Sequence, residues 1–172
     1  MSGLVITLKH DGREFGQWPV AELRALGVVP SEIIGAAVKN TAFSDITRVA
    51  EDYRSRLATK CAGKLAAYRI KEGIARGPDK SDPAEMALIE REATAREMTT
   101  EALIANINSR ASAYRQTALL VEVLEVEAKA AIAAIADDAV DIEDQIQSTL
   151  DAAQAQAETA FSEAFALING GS

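Results

Sequence analysis

Between Thr99 and Ile135 the apolar positions repeat with a seven-residue period. Counting from Ile104 gives Ile104, Ala111, Ala118, Glu125 and Ile132, and the companion series gives Ile107, Tyr114, Val121, Ala128 and Ile135. Alternating steps of three and four put these residues on one narrow stripe of a helix, and such a stripe is buried only against another long helix. Glu125 is its one charged member, and no Gly or Pro interrupts the backbone hydrogen bonding. The pattern predicts a long helix that associates through Ile104, Ile107, Ala111, Tyr114, Ala118, Val121, Ala128, Ile132 and Ile135. The mate is a helix of the same chain or of another copy.

The flanking stretches carry their own helical patterns. Ser44 reads as the cap of a helix that runs to Arg76, ends at Gly77-Pro78, and has Ile46, Val49, Tyr53, Leu57, Cys61, Leu65 and Tyr68 on its apolar side. Gly63 inside it costs about 1 kcal/mol relative to Ala, which predicts a close helix crossing there. Asp82-Pro83-Ala84-Glu85 is a helix start, with Asp82 as cap and Pro83 in the first helical position, for a short helix reaching about Glu97. After Ala136, with Asp137 or Asp138 as cap, a last helix places Ile142, Ile146, Leu150, Ala153, Ala157, Phe161, Ala164 and Ile168 on one stripe and stops at Asn169-Gly170-Gly171. The junction at Ala136-Asp137 makes either a helical hairpin or one continuous rod.

The first part of the chain is different. Leu4 to Leu8 is a β-rich run, Asp11-Gly12 is a hairpin turn signal, and Glu14 to Trp18 supplies the returning strand. Two strands alone are marginal in water, so the hairpin must lean on something else. Pro19 to Leu26 reads as a short helix closed by Gly27, and residues 31–42 as a strand or loose connector. The fold class expected is therefore mainly α: a small α+β head with a β-hairpin over residues 1–43, then an elongated long-helix bundle or coiled coil over 44–172. Phe15 and Trp18 give the head its aromatic character and are the candidate docking residues.

Composition sharpens this picture. Apolar residues make up 48% of the 172 residues but aromatics only 5%, so alanine supplies much of the apolar count and close helix–helix approach is favoured over a thick core. The net charge of −8 argues against generic nucleic-acid binding. Residues 1–80 hold 13 Lys/Arg against 9 Asp/Glu, a net of +4, and residues 81–172 hold 5 against 17, a net of −12. The halves are thus electrostatic partners, within one chain or between copies as in a rod or ring. No apolar run reaches the ~20 residues of a membrane span, and the N-terminus lacks the features of a signal peptide. The expected location is the cytoplasm unless the chain is carried out in a particle.

Candidate chemistry is sparse. Cys61 is the only cysteine and reads as a small core residue; His10, the only histidine, falls in the hairpin turn. Asp137, Asp138, Asp141, Glu143 and Asp144 form the densest acidic cluster, but without the spacing or glycine of a calcium loop, and they answer the dipole of the helix that follows. Phosphate-binding glycine loops are absent, and Tyr53, Tyr68 and Tyr114 read as packing residues on apolar stripes. Glu125 is expected to pair with Arg54 or Arg56 and so to fix helix register. These readings exclude catalytic, cofactor and metal residues.

Two segments, AYRIKEGIARGPDKSDPAEMALIEREATAR (Ala67 to Arg96) and RASAYRQTALLVEVLEVEAKAAIAAI (Arg110 to Ile135), resemble alanine-rich helical accessory proteins of tailed bacteriophages and prophages of proteobacteria. The resemblance implies a virion structural protein of the tail fibre or tail tip, made in the host cytoplasm. Its head would attach to other tail proteins and its helical body would form a homo-oligomer, a trimer being one such assembly. The alternative is a cytoplasmic assembly chaperone or adaptor that binds partners through its acidic helices.

Overall fold

The structure is a computed structural model describing residues 4–57 and 62–169. The chain is mainly helical, with an N-terminal antiparallel hairpin followed by long helices. Strands β1 (Val5–His10) and β2 (Arg13–Pro19) precede α1 (Val20–Leu26), α2 (Ser31–Leu57), α3 (Ala62–Arg76), a 3-10 turn (Pro78–Lys80), α4 (Pro83–Ala95), α5 (Thr100–Ala134) and α6 (Ile142–Asn169). Cys61 lies outside the described residues.

The helices and strands gather into two compact units, Met1–Tyr53 with Val121–Glu158 and Arg54–Leu120 with Thr159–Ser172. The boundary expected between residues 43 and 44 falls inside α2, which contributes to both units, as do α5 and α6.

In the first unit the hairpin turns on Asp11 and Gly12, whose φ values of 47° and 73° are the left-handed pair that a two-residue turn requires. Gly16 and Gln17 of β2 bulge opposite Thr7, and the Gln17 N–H donates to Thr7 Oγ1 at 3.1 Å. Ile6, Leu8 and Phe15 point into a core with Val20, Leu23, Val29, Ile34, Val38, Ala42, Ile46, Ala128, Ile132, Ile142 and Ile146. The hairpin is thus held by α1, α2, α5 and α6, as its marginal stability demands. Gly27, with φ 63°, closes α1 and donates its N–H to the Arg24 carbonyl.

Residues 31–42 correct the sequence reading. They are the first turns of α2, not a strand or connector, and Ser44 is a mid-helix residue whose hydroxyl donates to the Asn40 carbonyl. Pro30 opens the helix, its carbonyl accepting from the Ile33 and Ile34 N–H groups. The reason is tertiary: Ile34, Val38, Ala42 and Ile46 form one buried stripe, which outweighs the weak local propensity of a segment with Gly35 and two adjacent isoleucines.

Helix α2 runs antiparallel to α5, and α6 returns along α5 after a break at residues 135–141. The junction is therefore a helical hairpin and not a continuous rod. Helix α6 begins at Ile142, later than a cap at Asp137 or Asp138 predicts. Where the end of α5 meets α2, Gly35 leaves room for the Asp137 backbone, and a Cβ there would lie 2.7 Å from the Asp137 carbonyl carbon. One turn on, buried Lys39 donates to the Ile135 and Ala133 carbonyls and pairs with Asp137 Oδ1 at 2.6 Å. These donations satisfy carbonyls near the end of α5 that have no helical partner. Arg24 and Glu143 add a two-point ion pair at 3.2 Å.

In the second unit α3 and α4 form a hairpin with a core of Ile74, Ile89, Ala93 and Leu103, joined by Met86, Met98, Ile104 and Ile107. Asp82 caps α4 as its sequence predicts, accepting from the Ala84 N–H at 2.7 Å, with Pro83 in the first position. Asn108 of α5 donates to the Ala75 carbonyl at 2.8 Å, and Glu72 receives Arg76 and Arg115. Glu92 holds Lys71 and Arg96. Burial pushes the Glu92 carboxyl up, but the hydrogen bonds and charges of Lys71 and Arg96 together outweigh it and hold the group below its usual value. Gly63 is exposed. Among the described residues, Gly35 is a glycine at a close approach of two backbones.

Candidate interaction surfaces

Helix α5 decides what surface is left for partners. Within the first unit its buried positions are Val121, Leu124, Ala128 and Ile132. With 3.6 residues per turn these fall on one side, and Val123, Val126, Ala130 and Ala133 fall roughly 180° away. That second side faces outward, with Val123 47% and Val126 59% exposed. A helix apolar on opposite sides is ordinarily covered on both.

The residues expected to associate are placed accordingly. Val121, Ala128 and Ile132 are buried within the chain and Ile135 packs against the same core. Ile104 and Ile107 pack on the α3–α4 core, and Ala111 and Ala118 are half-buried. Tyr114 stands 40% exposed on α5 and Tyr68 53% exposed on α3, whereas Tyr53 is buried. The packing role expected of all three tyrosines therefore holds for Tyr53 alone. Glu125 accepts from Lys129 Nζ at 2.7 Å and from Thr47 Oγ1 at 3.3 Å, which ties α5 to α2.

Phe15 is buried in the first unit and Trp18 packs edge-on against it, ring centroids 5.7 Å apart. Both rings hold the hairpin down. What the head presents instead is the outer edge of β1, which has no strand beside it among the described residues. A groove of about 590 Å³ follows that edge, lined by Thr7 and Leu8 and floored by Ile33, Ala36 and Ala37 of α2. The outer edge of β2 is protected by its bulge, by Gln17 at φ 57° and by Pro19; β1 has no such device apart from Lys9.

A second groove of about 220 Å³ opens between α2, α5 and α6 of the first unit, where Ala50, Ala128, Ala153 and Ala157 leave the helices incompletely filled. Its rim carries Asp45, Arg48, Gln147 and Asp151, and Arg48 pairs with Asp45. In the acidic cluster, Asp137 is taken by Lys39 and Glu143 by Arg24. Among the described residues no group of three or more His, Cys, Asp or Glu side chains is placed to hold a metal ion, and no helix is long and apolar enough to cross a membrane.

These features define a mainly helical protein with a hairpin head and uncovered apolar helix surface. Compared with protein-family models, curated proteins and solved structures, the chain matches none.

Proposed function

We propose that the chain is a non-enzymatic structural component of a bacteriophage tail, in the fibre or the tip, whose head docks on another tail protein and whose helical body associates with copies of itself. The observation that carries the association is the outward apolar side of α5, Val123, Val126, Ala130 and Ala133, on a helix whose opposite side is already buried. The resemblance of segments 67–96 and 110–135 supports the placement in a tail. The open β1 edge and the groove beside it support docking by strand addition, in which an extended partner segment hydrogen-bonds along β1 and lays alternate apolar side chains over Ala36 and Ala37.

The test is the mass of the purified chain in solution, followed by mass spectrometry of purified tail particles. Association that is lost in Val123→Glu/Val126→Glu, together with the chain present in particles, is the expected result. A monomer at all concentrations, absent from particles, refutes the proposal. A chain absent from particles yet required for their assembly is an assembly chaperone or adaptor.

A further inference from the structure

We propose that the groove between α2, α5 and α6 of the first unit receives a basic amphipathic helix of a partner protein, which lies beside them as a fourth helix. The inner side of α6 loses its cover along this groove: Ile142 and Ile146 are 0% and 4% exposed, whereas Leu150, Ala153 and Ala157 are only half-buried. Ala50 of α2 faces the same space, and side chains this short leave about 220 Å³ open. That is below the about 300–1,000 Å³ of a site that encloses a small ligand, but it takes the apolar side chains of a helix laid along it. This surface is separate from the outward side of α5 and from the β1 edge, so it stands independently of the function proposed above.

The charges along the rim specify the occupant. Asp144, Asp151 and Glu158 are exposed and seven residues apart, so they fall on one line along the flank of α6, about 21 Å long, and Asp151 lines the groove itself. Asp151 and Glu158 accept from the neutral amides of Gln147 and Gln154, and none of the three acids pairs with a cation among the described residues. Across the groove Arg48 and Asp45 cancel, and Glu125 on the floor is held by Lys129, so the line on α6 sets the net charge. Helix α6 cannot answer it, because no Lys or Arg follows Lys129 in the sequence. A helix with Lys or Arg at seven-residue spacing beside an apolar stripe matches both the groove and the line. The α6 of a second copy would instead oppose like charges.

The test is fluorescence anisotropy of a labelled peptide of about 15 residues, the span from Asp144 to Glu158, titrated with the full-length chain. The peptide carries leucines at steps of three and four and lysines at every seventh position on an alanine background. It should bind saturably, whereas a scrambled peptide of the same composition, and one with glutamate in place of lysine, should not. Ala153→Leu/Ala157→Leu fills the groove, and Asp144→Asn/Asp151→Asn/Glu158→Gln removes the charge at exposed positions. Each should weaken binding roughly tenfold, with circular dichroism confirming helix content. Added salt should weaken binding to the natural chain and have little effect on the amide variant. Failure of the ordered peptide to bind, equal binding of the scrambled one, or unchanged affinity in either variant overturns the proposal. If the groove-filling variant loses helix content, the amide variant decides. Self-association of the natural chain that is lost on filling the groove assigns it to a second copy and overturns the partner helix.

Discussion

Replacing Gly35 with alanine should destabilise the protein, although alanine is the better helix former. In an uncrowded helix interior the exchange gains about 1 kcal/mol from backbone entropy. Gly73 in α3 is such a site, since a Cβ there meets nothing within 4 Å. At Gly35 the new Cβ would press on the Asp137 carbonyl oxygen and sit 2.7 Å from its carbon and 3.0 Å from its Cα. Those atoms are backbone, so no flexible side chain can swing away. Either α2 moves off the end of α5, or the 135–141 connection shifts and Lys39 loses its grip on the Ile135 carbonyl and Asp137. Overpacking of this kind costs about 1–3 kcal/mol, and weakening the charged hydrogen bonds adds to it. The net expected for Gly35→Ala is a loss of about 2 kcal/mol, or roughly 4–8 °C in Tm for a chain of this size. Gly73→Ala should gain about 0.5–1 kcal/mol. Urea denaturation of the two variants beside the natural chain reads both signs at once. A Gly35→Ala midpoint equal to or above the natural one would refute the close approach of α2 to Asp137.

Three further substitutions probe separate interactions. Lys39→Met removes the buried donor at the end of α5 and leaves Asp137 without its cation, so about 2–3 kcal/mol should be lost in urea denaturation; a loss under about 0.5 kcal/mol would show those carbonyls to be satisfied otherwise. Glu92 has a lowered pKa in the folded chain, so its contribution is present above the unfolded carboxylate pKa and disappears as pH falls through the folded one. The stability gap between the natural chain and Glu92→Gln should therefore be widest near neutral pH and close in acid, and a gap independent of pH would contradict the role of Lys71 and Arg96. Asp82→Ala should cost about 1 kcal/mol by freeing the Ala84 N–H, with Asp82→Ser restoring most of it; equal midpoints for Ala and Ser would remove the cap from the account.

Local signals with a steric or hydrogen-bonding cause were legible in the sequence. Asp11-Gly12, Gly27 and Asp82-Pro83 each announced a backbone geometry that few other residues adopt, and each is found where expected. The stripe of α6 was legible because Ile142, Ile146, Leu150, Ala153, Ala157, Phe161 and Ala164 repeat every three or four residues without interruption, and all are buried or half-buried. The opening turns of α2 were not. Gly35 reads as a helix breaker until the Asp137 backbone that needs the space is known, and Lys39 reads as a surface residue until the end of α5 lies against it. Phe15 and Trp18, the candidate docking residues, lie against the core of the first unit. Nothing local to residues 1–43 reveals that α5 and α6 return to cover them.

The seven-residue count along α5 also shows why periodicity located the helix but placed its buried side only in part. A strict period of seven drifts by about 20° per repeat against a straight helix, and over the length of α5 this accumulates to most of one residue. At the C-terminal end the count lands on buried Val121, Ala128 and Ile132; at the other end it lands on Ile104 and Ala118, beside the buried Leu103 and Thr117. The buried positions thus keep the 3.6-residue period of a bundle helix, not the 3.5 of a supercoiled seam. That difference bears on assembly. A seam kept at 3.5 would be the place where copies meet, whereas a side already filled by Ile34, Val38, Ile142 and Ile146 has nothing left to offer a second copy. The association proposed above would then use what the bundle leaves outside, and on α5 of the first unit that is Val123, Val126 and the alanines after them.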